Sequence, residues 1–159
     1  MSELEGRFFA ERTDLHWLAL RLYRGLGNAE LPVVRRHNMS LWGYEVLILL
    51  IERPGSSQVD IAVALDLDKN KVVRVVDELE AAGFAVRDAD RTDRRRHKVT
   101  ATPAGRQACA AVTDSLQEIE EALLSALPLA QRGSLRDGLR HLVTALDDAC
   151  QAASPISAT

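Results

Sequence analysis

A chain of 159 residues fits one compact unit, or one small domain with an added assembly surface. At 47% hydrophobic and 27% charged it is not generally disordered, and with aromatics at 4% its core must come from Leu, Val, Ala and Ile, which favours helix. The net charge of −3 argues at first against a nucleic-acid partner, but the distribution reverses that reading. Residues 69–102 hold nine Lys/Arg against six Asp/Glu, a local +3, whereas residues 103–159 hold four against seven, a local −3. A basic patch on an acidic protein is the footprint of a local polyanion contact.

No apolar run reaches the roughly 18 residues that span a bilayer. Met1-Ser2-Glu3-Leu4-Glu5 lacks a basic region followed by an apolar stretch, so a cytoplasmic protein with no membrane partner is expected. The cysteines, Cys109 and Cys150, lie 41 positions apart, which fits neither a disulfide scaffold nor a Cys-rich zinc site.

In chain order, the spacing of Phe8, Leu15, Leu18, Leu22 and Leu26 predicts a first helix from about Phe8 to Leu26, broken by Gly25, Gly27, Asn28 and Pro32. Ser40 can cap a second helix through about Glu52, ended by Pro54-Gly55. Ser57, with Asp60 in a capping-box arrangement, starts a short third helix over about Gln58–Leu65. Asp68 caps a fourth running to Ala82, with Gly83 in the left-handed position that follows. Phe84–Arg87 and Lys98–Ala101 read as extended segments of a hairpin around an Asp- and Arg-rich loop. Thr102-Pro103 starts a long fifth helix to about Ala126, and a last helix follows Pro128, from about Leu129 to Gln151.

A helix-turn-helix followed at once by a β-hairpin is a winged helix. The expected fold is therefore mostly α with a small β-hairpin wing, divided as 1–39 (N-terminal dimerisation helix and linker), 40–102 (winged helix-turn-helix lobe) and 103–159 (C-terminal dimerisation helices).

In the fourth helix Val72, Val75, Val76 and Leu79 follow the i, i+3, i+4, i+7 pattern of a buried face. The opposite side presents Lys69, Asn70, Lys71, Val73 and Arg74, which suits a major groove. Cations meet phosphate or guanine, the amide reads adenine and Val meets a thymine methyl. Taken alone, such a helix is as readily a solvated amphipathic one. Its neighbour, Asp90-Arg91-Thr92-Asp93-Arg94-Arg95-Arg96-His97, caps the hairpin where a wing would reach the adjacent minor groove, whose negative potential Arg exploits. Arg91, Asp93, Arg94, Arg95 and Arg96 are the candidate wing residues, an Asp two places before an Arg being able to hold its guanidinium in a fixed pose.

These segments resemble the multiple antibiotic resistance regulator (MarR) family. The resemblance rests on Gln58–Leu67 (QVDIAVALDL), Asp68–Leu79, Glu80–Arg87 (EAAGFAVR), Asp90–Arg95 (DRTDRR) and Thr100–Gly105 (TATPAG), and covers roughly Ser40 to Arg106. It implies a homodimer on double-stranded DNA with a pseudo-palindromic operator, with Asp93 and Arg95 as the wing pair and Arg95 entering the minor groove. Repression is the family's commoner mode. Three positions depart from the family pattern: Asn70-Lys71 replaces small hydroxyl residues, Ala101 replaces a Leu under the wing, and Gly43 replaces a larger polar residue.

The terminal helices carry further apolar seams, Cys109, Val112, Leu116, Ile119, Leu123 and Leu127, then Leu135, Leu139, Leu142, Leu146 and Ala149. With the stripe on the first helix they exceed what a lobe of roughly 60 residues covers, so most of this surface is expected to be buried between subunits.

In the family, small anions, often phenolic acids, bind between the dimer helices and the DNA-binding lobe. Arg12, His16, Trp17, Trp42 and Tyr44 could line such a crevice, Arg and His pairing a carboxylate while the rings stack; equally, Trp17 and Trp42 could be plain core and His16 plain surface. A thiol-based oxidant sensor of the same fold is the alternative, although Cys109 on an apolar seam reads better as inert core. No metal site is expected from His16, His37, His141 and a cysteine, and no cofactor is implied. Enzyme motifs are absent: there is no Gly-rich phosphate loop, H-E-x-x-H or G-x-S-x-G. A winged helix used only for protein interaction would not need Lys71, Arg74 and Arg95.

Overall fold

The computed structural model describes residues 12–89 and 97–153. In order these form α1 (Leu15–Arg36), α2 (Leu41–Glu52), β1 (Ser56–Ser57), α3 (Gln58–Ala64), α4 (Lys69–Ala81), β2 (Ala85–Ala89), β3 (His97–Ala101), α5 (Pro103–Leu124) and α6 (Leu129–Ala153). The described fold is mostly helical with one small antiparallel sheet, in strand order β1-β3-β2.

Five helices begin on a side chain that accepts a backbone N–H otherwise left without a partner. Asp14 accepts from Trp17 N, Ser40 from Gly43 N and Asp68 from Lys71 N. Ser57 and Asp60 form the reciprocal capping box, at 3.2 and 2.8 Å. Thr102 Oγ1 accepts from Gly105 N at 2.9 Å. Four of these caps are the residues that the sequence marks. Gly83 follows α4 at φ +73°, as its position in the sequence requires.

The first helix differs from expectation at both ends. Asp14 is extended (φ −66°, ψ 144°), so α1 starts at Leu15; Phe8, where the expected helix begins, lies outside the described residues. At the other end α1 passes through Gly25, Gly27 and Pro32 to Arg36. An interior Pro costs about 3 kcal/mol and each Gly about 1 kcal/mol. Burial offsets this: Val33 and Val34 enter the core and Leu31 packs against it, each buried aliphatic side chain contributing about 1.5–3 kcal/mol. The hairpin strands are each one residue longer than expected, β2 starting one residue later and β3 one earlier, and β1 is an addition. Its two residues pair Ser56 with Val99 and Ser57 with Lys98.

Two compact units divide the chain, one through Ile119 and one from Glu120. In the first, Val34, Val46, Leu47, Leu50, Ile61, Val72, Val76, Leu79, Val99 and Val112 are wholly buried. Cys109 and Val112 lie in this core and Leu116 and Ile119 pack against it, so the first half of the α5 seam is spent inside the unit rather than kept for a partner. That corrects the expectation for those residues: about three turns of α5, Cys109 to Ile119, are needed to close the core. Where α5 begins, a Cβ on Gly105 would overlap the Phe84 carbonyl oxygen, so only glycine fits. In the second unit, Arg136 joins α6 to the end of α5 through Glu120 (2.9 Å) and Glu121 (3.4 Å). Leu129, Leu135, Leu139, Leu142, Val143 and Leu146 stay exposed there, as do Leu15, Leu18 and Leu22 on α1.

Candidate nucleic-acid interface

The turn between α3 and α4 holds Asp66 at φ +49°, with Leu67 N donating to Ala62 O, and delivers the chain to the Asp68 cap. From there α4 turns Val72, Val75, Val76 and Leu79 into the core. Lys69, Asn70 and Arg74 are exposed on its first turns, while Lys71 and Val73 are half-buried. These five residues share one end of a capped helix, where the free backbone N–H groups add partial positive charge. Lys71 is held more closely than the sequence suggests, its ammonium lying over the Trp42 ring at 6.0 Å from the centroid.

The hairpin leaves α4 through Gly83 and Phe84. Its stem registers Ala85 against Ala101, Arg87 against Val99 and Ala89 against His97. Ala85 and Ala101 are both buried, two small side chains facing one another. The wing candidates Arg91, Asp93, Arg94, Arg95 and Arg96 lie outside the described residues.

Sequence reasoning missed two contributors. Glu78, on α4, accepts the Ser40 backbone N–H through Oε1 and so ties α4 to the start of α2. A Cβ on Gly43 would stand 2.9 Å from that oxygen, so glycine leaves room for the contact. Arg87 is the other, a base-of-hairpin cation that pairs with Glu80 and, at 2.7 Å, with Asp77. Its backbone N–H donates to Glu80 Oε1 at 2.9 Å and its Nη2 reaches the Val73 carbonyl at 3.4 Å. Gln58, with its amide oriented so that oxygen faces donors, accepts from Nε and Nη2 at 3.0 Å each. The 77/80/87 spacing carries opposite charges, but a sequence does not reveal that the chain reverses between them.

Of the five crevice candidates, Arg12 and Trp17 lie together, while His16, Trp42 and Tyr44 have other surroundings. Arg12 pairs with Asp14 at 2.8 Å and lies over the Trp17 ring at 4.9 Å. That guanidinium, with the Trp17 N–H, holds the Asp14 carboxyl down at about 2. His16 is exposed. Trp42 sits under Lys71, beside α4. Tyr44 bonds Thr113 Oγ1 at 2.9 Å, and burial pushes its phenol up. Thr113 Oγ1 also donates to the Cys109 carbonyl, and burial pushes the Cys109 thiol up, away from the reactive thiolate.

Residues 37–96 match the model of the MarR family. A solved structure of the transcriptional repressor CouR bound to a 23-mer DNA duplex is 27% identical, with a TM-score of 0.72 over 82% of this chain and 92% of that one. The fold of the described residues is similar to that of solved MarR-family regulators. CouR from Rhodococcus jostii RHA1 bound to p-coumaroyl-CoA matches at 26% identity and a TM-score of 0.69, over 84% of this chain and 93% of that one. A protein of Thauera aromatica, provisionally named as a transcriptional regulatory protein for the hcr operon, is 38% identical over 99 residues. That match spans 62% of this chain and 60% of the Thauera protein's length.

Proposed function

We propose that this chain is a sequence-specific, DNA-binding transcriptional regulator of the cytoplasm, working as a homodimer on a pseudo-palindromic operator. The observation that carries the reading is α4, which is capped by Asp68, buries its valine face and leaves Lys69, Asn70 and Arg74 exposed beside a hairpin. Phosphates take Lys69 and Arg74, base edges take Asn70 and the free part of Val73, and Lys71 reaches phosphate from its seat on Trp42. Arg95, oriented by Asp93, enters the minor groove, with Arg91, Arg94 and Arg96 flanking it. The DNA-bound repressor CouR supports both the DNA partner and repression as the mode.

Dimerisation draws on the leucines of α6 and the Leu15, Leu18 and Leu22 stripe of α1, which the described chain leaves uncovered. The effector is a small aromatic or anionic molecule that releases DNA; the p-coumaroyl-CoA complex of CouR supports that class. Residues Arg12, His16, Trp17, Trp42 and Tyr44 are its proposed neighbours. A ligand that favours a separation of recognition helices away from one DNA turn, about 34–36 Å, must weaken DNA reciprocally. The buried Cys109, its thiol pushed up, counts against release by an oxidant through that residue.

Selection of bound fragments from genomic DNA, followed by footprinting, tests the reading. A protected inverted repeat is expected, and Arg95→Ala and Asp93→Ala should each lose at least about tenfold in affinity for it. Lys71→Ala should lower the salt slope by about one. Binding indifferent to sequence, or unchanged in Arg95→Ala at moderate salt, would refute it. Aromatic acids or their CoA thioesters should quench or shift Trp17 and Trp42 fluorescence as DNA is released.

A further inference from the structure

The recognition helix carries its own obstacle to DNA. Past its basic first turns it bears Asp77, Glu78 and Glu80, carboxylates that phosphate would repel. Glu78 is engaged with the Ser40 backbone. Asp77 and Glu80 are both paired with Arg87, which stands on β2 and is 20% exposed. The same guanidinium bonds the Val73 carbonyl, one turn before Asp77, and the Gln58 amide at the first position of α3. One side chain therefore joins the hairpin stem to a stripe of α4, residues 73, 77 and 80, and to α3. The Arg87 backbone N–H, turned away from the ladder, adds a second link to Glu80.

We propose that Arg87 is a positioning residue: it clamps the hairpin stem to the recognition helix so that helix and hairpin meet DNA as one body. The inference rests on the DNA reading proposed above and adds the device that fixes the angle between its two parts. Arg87 does not itself contact phosphate, because its Nε, Nη1 and Nη2 are all engaged internally. Lysine cannot substitute, since a point ammonium does not span two carboxylates and an amide as a planar fork does. An isolated exposed ion pair would contribute almost nothing, but this one is half-buried, multiply bonded and shared among three elements.

The sign of one substitution separates this role from simple electrostatics. Glu80→Ala removes a negative charge from the DNA-facing helix, so a charge-only interface would bind tighter. The clamp demands the opposite, a loss of about tenfold in specific affinity. The full-length protein, Glu80→Ala, Arg87→Lys and Arg87→Gln are compared by anisotropy with operator and scrambled duplexes over a salt series. Amide exchange at residues 85–89 and thermal melting are measured without DNA. We expect all three variants to lose specific affinity, with scrambled-duplex binding and salt slope kept, and the residue 87 amide of Glu80→Ala to exchange at least about tenfold faster.

Tighter or unchanged operator binding by Glu80→Ala overturns the clamp. So does rescue by Arg87→Lys together with a slope lowered by about one in Arg87→Gln, which would make Arg87 a phosphate contact. Equal loss on both duplexes with a collapsed melt overturns positioning in favour of general unfolding. If the wild type prefers no sequence at all, the regulator reading fails, and the exchange arm still decides the clamp: unchanged protection at residues 85–89 refutes it and accelerated exchange upholds it.

Discussion

In the unit through Ile119, Leu47 and Leu50 are wholly buried members of that unit's core. In the unit from Glu120, Leu142 is 46% exposed and Leu146 64%, although both lie on a regular helix with a leucine every three or four residues. The two regions use the same residue type at the same spacing to different ends. In the first, the helical stripe meets a sheet and three other helices supplied nearby in the chain. In the second, it meets water in the isolated chain. Periodicity tells which face of a helix is apolar; it does not tell whose surface will cover that face.

The contrast can be broken by substitution. Leu47→Ala should lower stability by about 2–5 kcal/mol in a thermal or urea melt at any protein concentration, since its contacts are all internal. Leu142→Ala should give a loss that shrinks on dilution, and a loss independent of concentration would remove the contrast. Gly105→Ala comes next, at about 1–3 kcal/mol, because its methyl meets the Phe84 backbone rather than a side chain that can swing aside. Leu139→Asp should leave the melting of a dilute sample within about 0.5 kcal/mol while shifting the sedimentation profile towards monomer. An unshifted profile would place the exposed α6 leucines outside any dimer.

Two smaller effects sharpen the picture of the first unit. With Cys150→Ser as background, Cys109 should react with a thiol reagent at neutral pH at least about tenfold more slowly in folded than in unfolded protein, because burial holds it protonated. Asp14 has its carboxyl held at about 2 against an ordinary 3.8. A depressed folded-state value contributes stability above the unfolded value, lost as pH falls from about 4 towards 2. Asp14→Asn should therefore flatten the acid loss of α1 helicity by circular dichroism in that window. The change should be small, since the pair is solvent-screened.

What the sequence disclosed follows the range of the interactions involved. Ser40, Ser57, Asp68 and Thr102 act within three residues of themselves, so their capping roles are legible in the string. The valine face of α4 is legible for the same reason. Pro32 misled because its local cost is offset by Val33 and Val34 meeting a core built by distant residues. β1 was invisible, two serines whose strand character comes entirely from pairing with Val99 and Lys98. Lys71 and Arg74 look alike in the sequence, yet Trp42, a residue of another helix, half-covers one and not the other. Arg87 looks like one more basic residue until the chain reversal at Gly83 brings it over Asp77 and Glu80.

Thr102 is the only residue between β3 and α5. Its N–H donates to the Phe84 carbonyl at 2.9 Å and its hydroxyl to the Gly83 carbonyl at 2.7 Å, while the same oxygen caps α5. There is no slack at this joint. One residue inserted there would turn α5 by about 100° about its axis, swinging Cys109 and Val112 off the core and offering it a polar face. Variation in length among proteins built this way should gather at the hairpin tip and in the α1–α2 connection, and stop at the strand-to-helix joint, where chain length itself is the conserved quantity.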